Sequence, residues 1–268
     1  MAQVNTLVIA GYGTNSQLET AHAATLAGSA RVDIAHFAEI VSGTCNIADY
    51  QFMIFPGGFL DGDHLGAAQA AAGRWRFMKT ASGEPLIEIL KNFLQKGGLI
   101  LGICNGFQLL VKLGIIPGLD GLEFTRSLTL GWNDSGRFED RWVNLLPNPA
   151  SPCVFTKNLP QMYMPVRHGE GKVIAQPAIL DKLEEHNLIA LQYADPETGR
   201  PTQEYPFNPN GSPLGIAGLS DKSGHVLGLM PHPEAFHHAT NHPRWTRGEI
   251  DPPGTLIFVN AVRYLANQ

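Results

Sequence analysis

The stretch Gly97-Gly-Leu-Ile-Leu-Gly-Ile-Cys-Asn-Gly-Phe-Gln-Leu-Leu-Val-Lys-Leu-Gly114 decides the fold. Its apolar run, Leu99 to Ile103, is short and bounded by glycine, which reads as a buried parallel strand. Phe107, Leu110 and Val111 then fall at i, i+3 and i+4, the spacing of one helix face. Between strand and helix sits Gly102-Ile103-Cys104-Asn105-Gly106. This is the Gly-x-nucleophile-x-Gly pattern of a nucleophile elbow, with cysteine in place of serine. Glycines two residues either side of Cys104 let the two backbones approach closely at a sharp turn. Such a turn presents the sulfur at the carboxyl end of the sheet. It also sets the thiol at a helix N-terminus, where the dipole and free N–H groups favour thiolate. From the elbow alone two readings of Cys104 stand: a nucleophile, or an inert buried thiol serving as a small hydrophobe.

Upstream, Val4–Ala10 reads as a first strand, followed by the turn Gly11–Ser16, a helix over Gln17–Ala27 and a second strand over Arg31–Phe37. Tyr50–Phe55 is a third strand and runs into Pro56-Gly57-Gly58-Phe59. Consecutive glycines there leave N–H groups pointing beyond the strand, as in an oxyanion hole or anion nest, or in an ordinary βα turn. Helical stretches over His64–Lys79 and Glu84–Gln95 lead into the elbow. This alternation predicts an α/β fold, an open, mostly parallel, doubly wound sheet of the flavodoxin-like kind. From Leu122 the pattern changes to shorter β-like runs: Thr125–Leu130, Arg141–Leu145, Met162–Pro165, Leu188–Tyr193 and Leu214–Leu219. Antiparallel additions to the sheet fit this half better than further βαβ units. His225–Met230 is a last buried strand, ending at Pro231-His232-Pro233-Glu234, and Gly254–Asn267 a closing helix. No repeat, low-complexity tract or linker divides the chain, so residues 1–268 are expected to form a single domain.

Composition narrows the function. Net charge is −5 with no Lys/Arg block, which argues against nucleic acid and anionic membrane as partners. The longest apolar runs fall far short of the roughly 18 residues of a membrane span. The N-terminus has no basic region before an apolar run, so no signal peptide is expected. Cys45, Cys104 and Cys153 are odd in number and widely spaced, as in a reduced, cytoplasmic protein. Gly11-x-Gly13 with Asp33 downstream is an incomplete dinucleotide fingerprint, Ser16 standing at the third glycine. His237, His238 and His242 cluster without a Cys or carboxylate of ligand spacing, so a solvated tail is expected there and no metal site.

A cysteine nucleophile needs a base, and a third group to hold that base in the right tautomer. His232-x-Glu234, after the last strand, offers both, and nine other histidines compete for the role. Alternate residues of an extended segment point to opposite sides, so a turn must bring Glu234 to His232. The flanking prolines, Pro231 and Pro233, favour such a local shape.

Cys104 on its elbow, Gln108 one turn later and a distant His-Pro-Glu resemble a class I (triad) glutamine amidotransferase. Six blocks in order extend the likeness: Pro56–Asp63, Gly102–Gln108, Asn133–Glu139, His168–Gly171, Tyr205–Ser212 and Gly228–Glu234. Over residues 4 to 265 they resemble the glutaminase subunits of phosphoribosylformylglycinamidine synthase, a step of purine biosynthesis. Ser16, where many members carry Cys, and Ala235, where Arg often follows His-Pro-Glu, depart from the pattern. The resemblance implies Cys104, His232 and Glu234 as catalytic triad and the N–H groups of Gly58 and Asn105 as oxyanion hole. It further implies a glutamine pocket lined by Gln108, His168, Gly169 and Glu170. No cofactor is implied in this chain. ATP, magnesium and formylglycinamide ribonucleotide belong to a separate synthetase subunit, with a small accessory subunit expected beside it. Asn133–Glu139 and Tyr205–Ser212 have no triad role and are expected at the docking face or ammonia exit. Two enzyme-class alternatives stand, another cysteine hydrolase of this architecture and, on the glycine turn alone, a nucleotide oxidoreductase. A catalytically idle binding subunit is the alternative outside enzymes.

Overall fold

The computed structural model describes residues 2–248 and 253–268. The first half runs β1 (Asn5–Ala10), α1 (Gln17–Leu26), β2 (Arg31–His36), α2 (Phe37–Ser42), β3 (Phe52–Phe55), α3 (Gln69–Phe77), α4 (Leu86–Gln95), β4 (Leu99–Ile103) and α5 (Asn105–Leu113). The second runs β5 (Leu128–Trp132), β6 (Glu139–Pro147), β7 (Met162–His168), β8 (Glu170–Ala175), α6 (Pro177–Glu185), β9 (Ile189–Ala194), β10 (Ile216–Ser220), β11 (Val226–Leu229) and α7 (Leu256–Ala266).

Strands β3 and β4 are apolar and buried along their whole length, as central parallel strands covered on both faces must be. Helix α4 buries Leu86, Leu90 and Phe93 on one face, whereas every residue of α5 is buried. The main sheet has the order β2-β1-β3-β4-β11-β10-β9-β6-β7. Its first five strands are parallel, and the rest add on antiparallel. The parallel half has the flavodoxin-like order, in which ligands bind outside the carboxyl ends of the strands. Here the register pairs Phe55 with Gly102 and Leu229 with Ile103. The segments that follow β3, β4 and β11 therefore emerge side by side, although they are far apart in sequence.

Two expectations need correction. Thr125–Leu130 does not join the main sheet: β5 pairs with β8 in a separate two-stranded ribbon. The helix expected from His64 begins only at Gln69, because Gly66 and Ala68 have positive φ and right-handed helix forbids it. Strand β8 and helices α2 and α6 were not anticipated. No helix among the described residues is long and apolar enough to cross a membrane.

Candidate active site

Cys104 is the single residue between β4 and α5, with φ 52° and ψ −102°. That combination is strained for any residue with a Cβ. Neighbours hold it there: Cys104 N–H donates to Leu229 O at 2.8 Å, and Gln108 N–H to Cys104 O at 3.0 Å. The elbow glycines do what the sequence implied. A Cβ on Gly106 would lie 1.9 Å from Phe55 O, and one on Gly102 would lie 2.5 Å from Leu110 Cδ1. The thiol is 6% exposed and its sulfur is 3.6 Å from Arg167 O.

His232 follows β11, and Pro233–Ala235 forms a 3-10 turn. This turn brings Glu234 Oε1 to 2.6 Å from His232 Nδ1, the local reversal the spacing required. Glu234 is fully buried, with Arg167 3.9 Å from the same oxygen. The backbone N–H of His232 donates to Pro165 O at 2.8 Å. Its ring lies against Gly57, where a Cβ would come within 2.8 Å of Cε1. Nε2 is buried without a hydrogen-bond partner among the described residues. Burial pushes the imidazolium down, but the Glu234 carboxylate and the Cys104 sulfur outweigh it and raise the pKa to about 10. The ring is thus held protonated, with Nδ1–H on Glu234 and Nε2–H free to give its proton away.

Replacing Glu234 with Gln is expected to lower kcat by about 10⁴, the loss seen when an orienting triad carboxylate becomes its amide. A stability effect accompanies it. Between the ordinary imidazole pKa of 6.5 and the native value of about 10, the folded state binds more protons at His232 than the unfolded state. This contribution is therefore complete below pH 6.5 and is lost as pH rises toward 10. Melting temperatures of wild type and Glu234→Gln across that interval check it: the decline should be shallower in the variant.

The loop after β3 is stitched to the first glycine turn. Asn15 N–H donates to Gly57 O at 3.2 Å and Phe59 N–H to Gly13 O at 2.8 Å. Ser16 Oγ accepts from Gly57 N–H at 2.9 Å. Gly58 has φ 147°, and a Cβ there would lie 2.5 Å from Gly13 O. These bonds leave the Gly58 N–H uncommitted. Asn105 opens α5, so its backbone N–H is one of the donors a helix cannot satisfy internally. The Asn105 side chain is occupied, accepting from Leu60 N–H at 3.0 Å and donating to Gln108 Oε1 at 3.0 Å. The Gly11-x-Gly13 turn, read as a partial dinucleotide fingerprint, thus supports the Gly57–Gly58 loop.

A cavity of about 610 Å³ opens over these groups. Gly58, Cys104, Gln108, His232 and the segment His168, Gly169, Glu170 line it, while Glu234 and Asn105 stand behind. Gln108 Nε2 donates to Glu170 O at 2.6 Å, and Glu170 Oε2 accepts from Ala67 N–H at 3.2 Å. Burial, then the neighbouring His232, pushes the His168 imidazole down to about 3, so it is neutral.

Sequence reasoning missed several participants. Gly136, Arg137 and Phe138 line the cavity, so the Asn133–Glu139 block forms part of its wall. Asp63 lines it too, with Oδ1 buried and without a hydrogen-bond partner among the described residues and a carboxyl pKa raised by burial and then by Glu170. Both lie in blocks that marked the family resemblance, but nothing in their spacing disclosed a role. Tyr205–Ser212 braces the ribbon from behind: Asn210 Nδ2 donates to Gly171 O at 2.7 Å, and Ser212 Oγ accepts from Val173 N–H at 3.0 Å. The tail is not simply solvated, because His242 is fully buried against the rings of Trp142 and Phe236.

A flavodoxin-like sheet with a cysteine elbow, a His–Glu pair just beyond the neighbouring parallel strand and a glycine-loop wall places the chain among α/β proteins with a cysteine at the carboxyl edge of the sheet. The sequence matches the CobB/CobQ-like glutamine amidotransferase domain over residues 3–265. It is 42% identical over 266 residues to phosphoribosylformylglycinamidine synthase subunit PurQ of Dehalococcoides mccartyi, covering 98% of each chain. With the PurQ subunit of Methanococcus maripaludis strain C7 the identity is 40% over 272 residues and 96% of each chain. The fold is shared with the structure of PurLQS from Thermotoga maritima, at TM-score 0.69 and 24% identity, over 98% of this chain and 100% of that one. The chain belongs to the CobB/CobQ-like glutamine amidotransferases, and among them to the PurQ subunits of phosphoribosylformylglycinamidine synthase.

Proposed function

We propose that the chain hydrolyses glutamine to glutamate and ammonia through Cys104, His232 and Glu234, and that the ammonia feeds the synthesis of formylglycinamidine ribonucleotide in purine biosynthesis. The observation that carries the mechanism is the 2.6 Å Glu234–His232 contact at the same carboxyl edge of the sheet as the Cys104 elbow. The Cys104 sulfur, its proton already resting on His232, attacks as thiolate at the carboxamide carbon of glutamine, and the carbonyl oxygen takes up the negative charge. Backbone N–H groups of Gly58 and Asn105 donate to that oxyanion. His232 gives its Nε2 proton to the departing amine, and collapse of the intermediate releases ammonia and leaves a glutamyl thioester. The now neutral imidazole takes a proton from water, whose oxygen attacks the thioester; collapse expels the Cys104 thiolate beside the reformed imidazolium and leaves the γ-carboxylic acid, which ionises to glutamate. Glu234 keeps Nδ1 protonated throughout, and Gln108 with the His168–Glu170 segment holds the substrate.

Ammonia released into bulk water would be lost, so the chain works docked to a synthetase subunit that uses ATP, magnesium and formylglycinamide ribonucleotide, with a small accessory subunit completing the complex in the cytoplasm. Residues 1–268 act as one amidotransferase domain, since the nine-stranded sheet is continuous across both halves. Amide-¹⁵N glutamine supplied to the assembled complex tests this. The expected result is stoichiometric glutamate release stimulated by the synthetase and its substrates, with ¹⁵N in the amidine product. Release without transfer would instead favour an independent cysteine hydrolase. Binding without release would favour an idle subunit.

A further inference from the structure

The hydrogen bonds around His168 fix more than its position. Asn133 is buried, and its Nδ2 donates twice, to His168 O at 2.7 Å and to Arg137 O at 3.0 Å. Both partners are carbonyl oxygens, which only accept, so the amide orientation of Asn133 is settled. Its Oδ1 therefore faces His168 Nδ1, 3.0 Å away, as an acceptor. Nδ1 must carry a hydrogen. In a neutral imidazole with Nδ1–H, Nε2 is a bare lone pair. This is the less usual tautomer, and a neighbour imposes it.

Among the described residues that lone pair has no donor to accept from. His168 is 2% exposed and lines the cavity that holds Cys104 and His232. Its Nδ1 edge is turned to Asn133 and packs over Gly171, where a Cβ would come within 2.7 Å of Nδ1. Nε2 is buried and has no hydrogen-bond partner among the described residues. A buried polar atom left unpaired costs free energy that a ligand can recover. The partner must donate a hydrogen, which excludes a carboxylate or carbonyl oxygen of the substrate.

We propose that Asn133 is a positioning residue that locks His168 as the Nδ1–H tautomer, so that Nε2 accepts an N–H hydrogen bond from glutamine. The inference rests on the glutaminase reading above. Glutamine has two such donors, the carboxamide NH₂ and the α-ammonium. His168 and His232 line the same cavity, so either donor of a glutamine bound there can meet the lone pair.

Two substitutions separate this role from a structural one. His168→Asn keeps an amide hydrogen for Asn133 Oδ1 but places nothing at Nε2. His168→Gln places a carboxamide oxygen near the Nε2 position. In the complex with the synthetase, His168→Asn should lower kcat/KM for glutamine about tenfold, chiefly through KM, and His168→Gln should recover to within about threefold of wild type. With 4-carbamoylbutanoate, which lacks the ammonium, a persisting penalty assigns the bond to the carboxamide and a vanished one assigns it to the ammonium. Long-range ¹H–¹⁵N spectra of the histidine-labelled chain give an independent readout. Nδ1 of His168 should be protonated and Nε2 bare, and Nε2 should shift upfield when glutamine is added to the unreactive Cys104→Ala protein. An Nε2–H tautomer in the wild type, wild-type kcat/KM in His168→Asn, or His168→Gln no better than His168→Asn would overturn the proposal. Wild-type protein that releases no glutamate would sink the glutaminase reading, while the spectra would still judge the tautomer.

Discussion

Replacing Cys104 with alanine or glycine removes glutamate release to background, and the glycine variant melts above the alanine variant. The first part follows from the nucleophile: without sulfur no thioester forms, and loss of a triad nucleophile costs on the order of 10⁶ in rate. The second part follows from the backbone. Cys104 sits at φ 52°, ψ −102°, outside the regions open to residues with a Cβ, and such strain costs roughly 1–3 kcal/mol. Alanine keeps the Cβ and therefore the strain, whereas glycine releases it. Glycine's greater freedom in the unfolded chain offsets about 0.5–1 kcal/mol of that gain. The net advantage over alanine is about 1 kcal/mol, or roughly 2–4 °C for a chain of this size. Glutamate release and thermal melting on the three proteins decide it. Residual release near wild-type level would remove Cys104 from the mechanism. A glycine variant melting below the alanine variant would show that the elbow is not a reservoir of strain. In the proposed mechanism the strain serves the chemistry, because this turn sets the sulfur beside the first N–H of α5.

What was readable in the sequence was whatever short-range pattern controls. Gly102 and Gly106 around Cys104 specified a close strand–helix approach, and each glycine is filled from the other side by Leu110 or Phe55. The apolar runs of β3, β4 and β11 were visible because central parallel strands carry no polar face. The need for a turn between His232 and Glu234 followed from strand geometry alone, and the 3-10 turn at Pro233 supplies it. The missing parts depend on tertiary choice. Leu128–Trp132 looks like any other edge strand, and only its pairing with Glu170–Ala175 takes it out of the main sheet to wall the pocket. Asn133 carries no charge and no periodicity, so its control of His168 appears only when both carbonyl partners are located. Asp63 ends the Pro56–Asp63 block with nothing in its spacing to mark it, and the burial of its Oδ1 near Glu170 appears only in the folded pocket.

Gly106→Ala is expected to deplete folded protein more than any other single-methyl addition at the elbow. The new Cβ would lie 1.9 Å from Phe55 O, 2.7 Å from its carbonyl carbon and 2.9 Å from its Cβ. None of these is the flexible end of a side chain, so relief requires α5 to move away from β3. Phe55 pairs in register with Gly102 and leads directly into Gly57 and Gly58. A shift that relieves the clash therefore either parts β3 from β4 or drags the glycine loop from the elbow. Overpacking against backbone in a fully buried element belongs with the severe class of substitutions, about 4–5 kcal/mol, and corresponds to a fall in melting temperature on the order of 10 °C or more. Gly73→Ala is the matched control. Gly73 lies within α3 with nothing within 4 Å of its would-be Cβ, so the same methyl should stabilise the helix by about 1 kcal/mol. Opposite signs for one chemical change would locate the constraint in packing at the elbow and not in glycine as such. A Gly106→Ala protein melting within a few degrees of wild type would mean that strand and helix are not held at contact, and the placement of Cys104 beside the Gly58 loop would need another cause. If the expected result holds, the contact that seats α5 on β3 is also the one on which the proposed mechanism relies to bring the N–H groups of Asn105 and Gly58 toward one oxyanion.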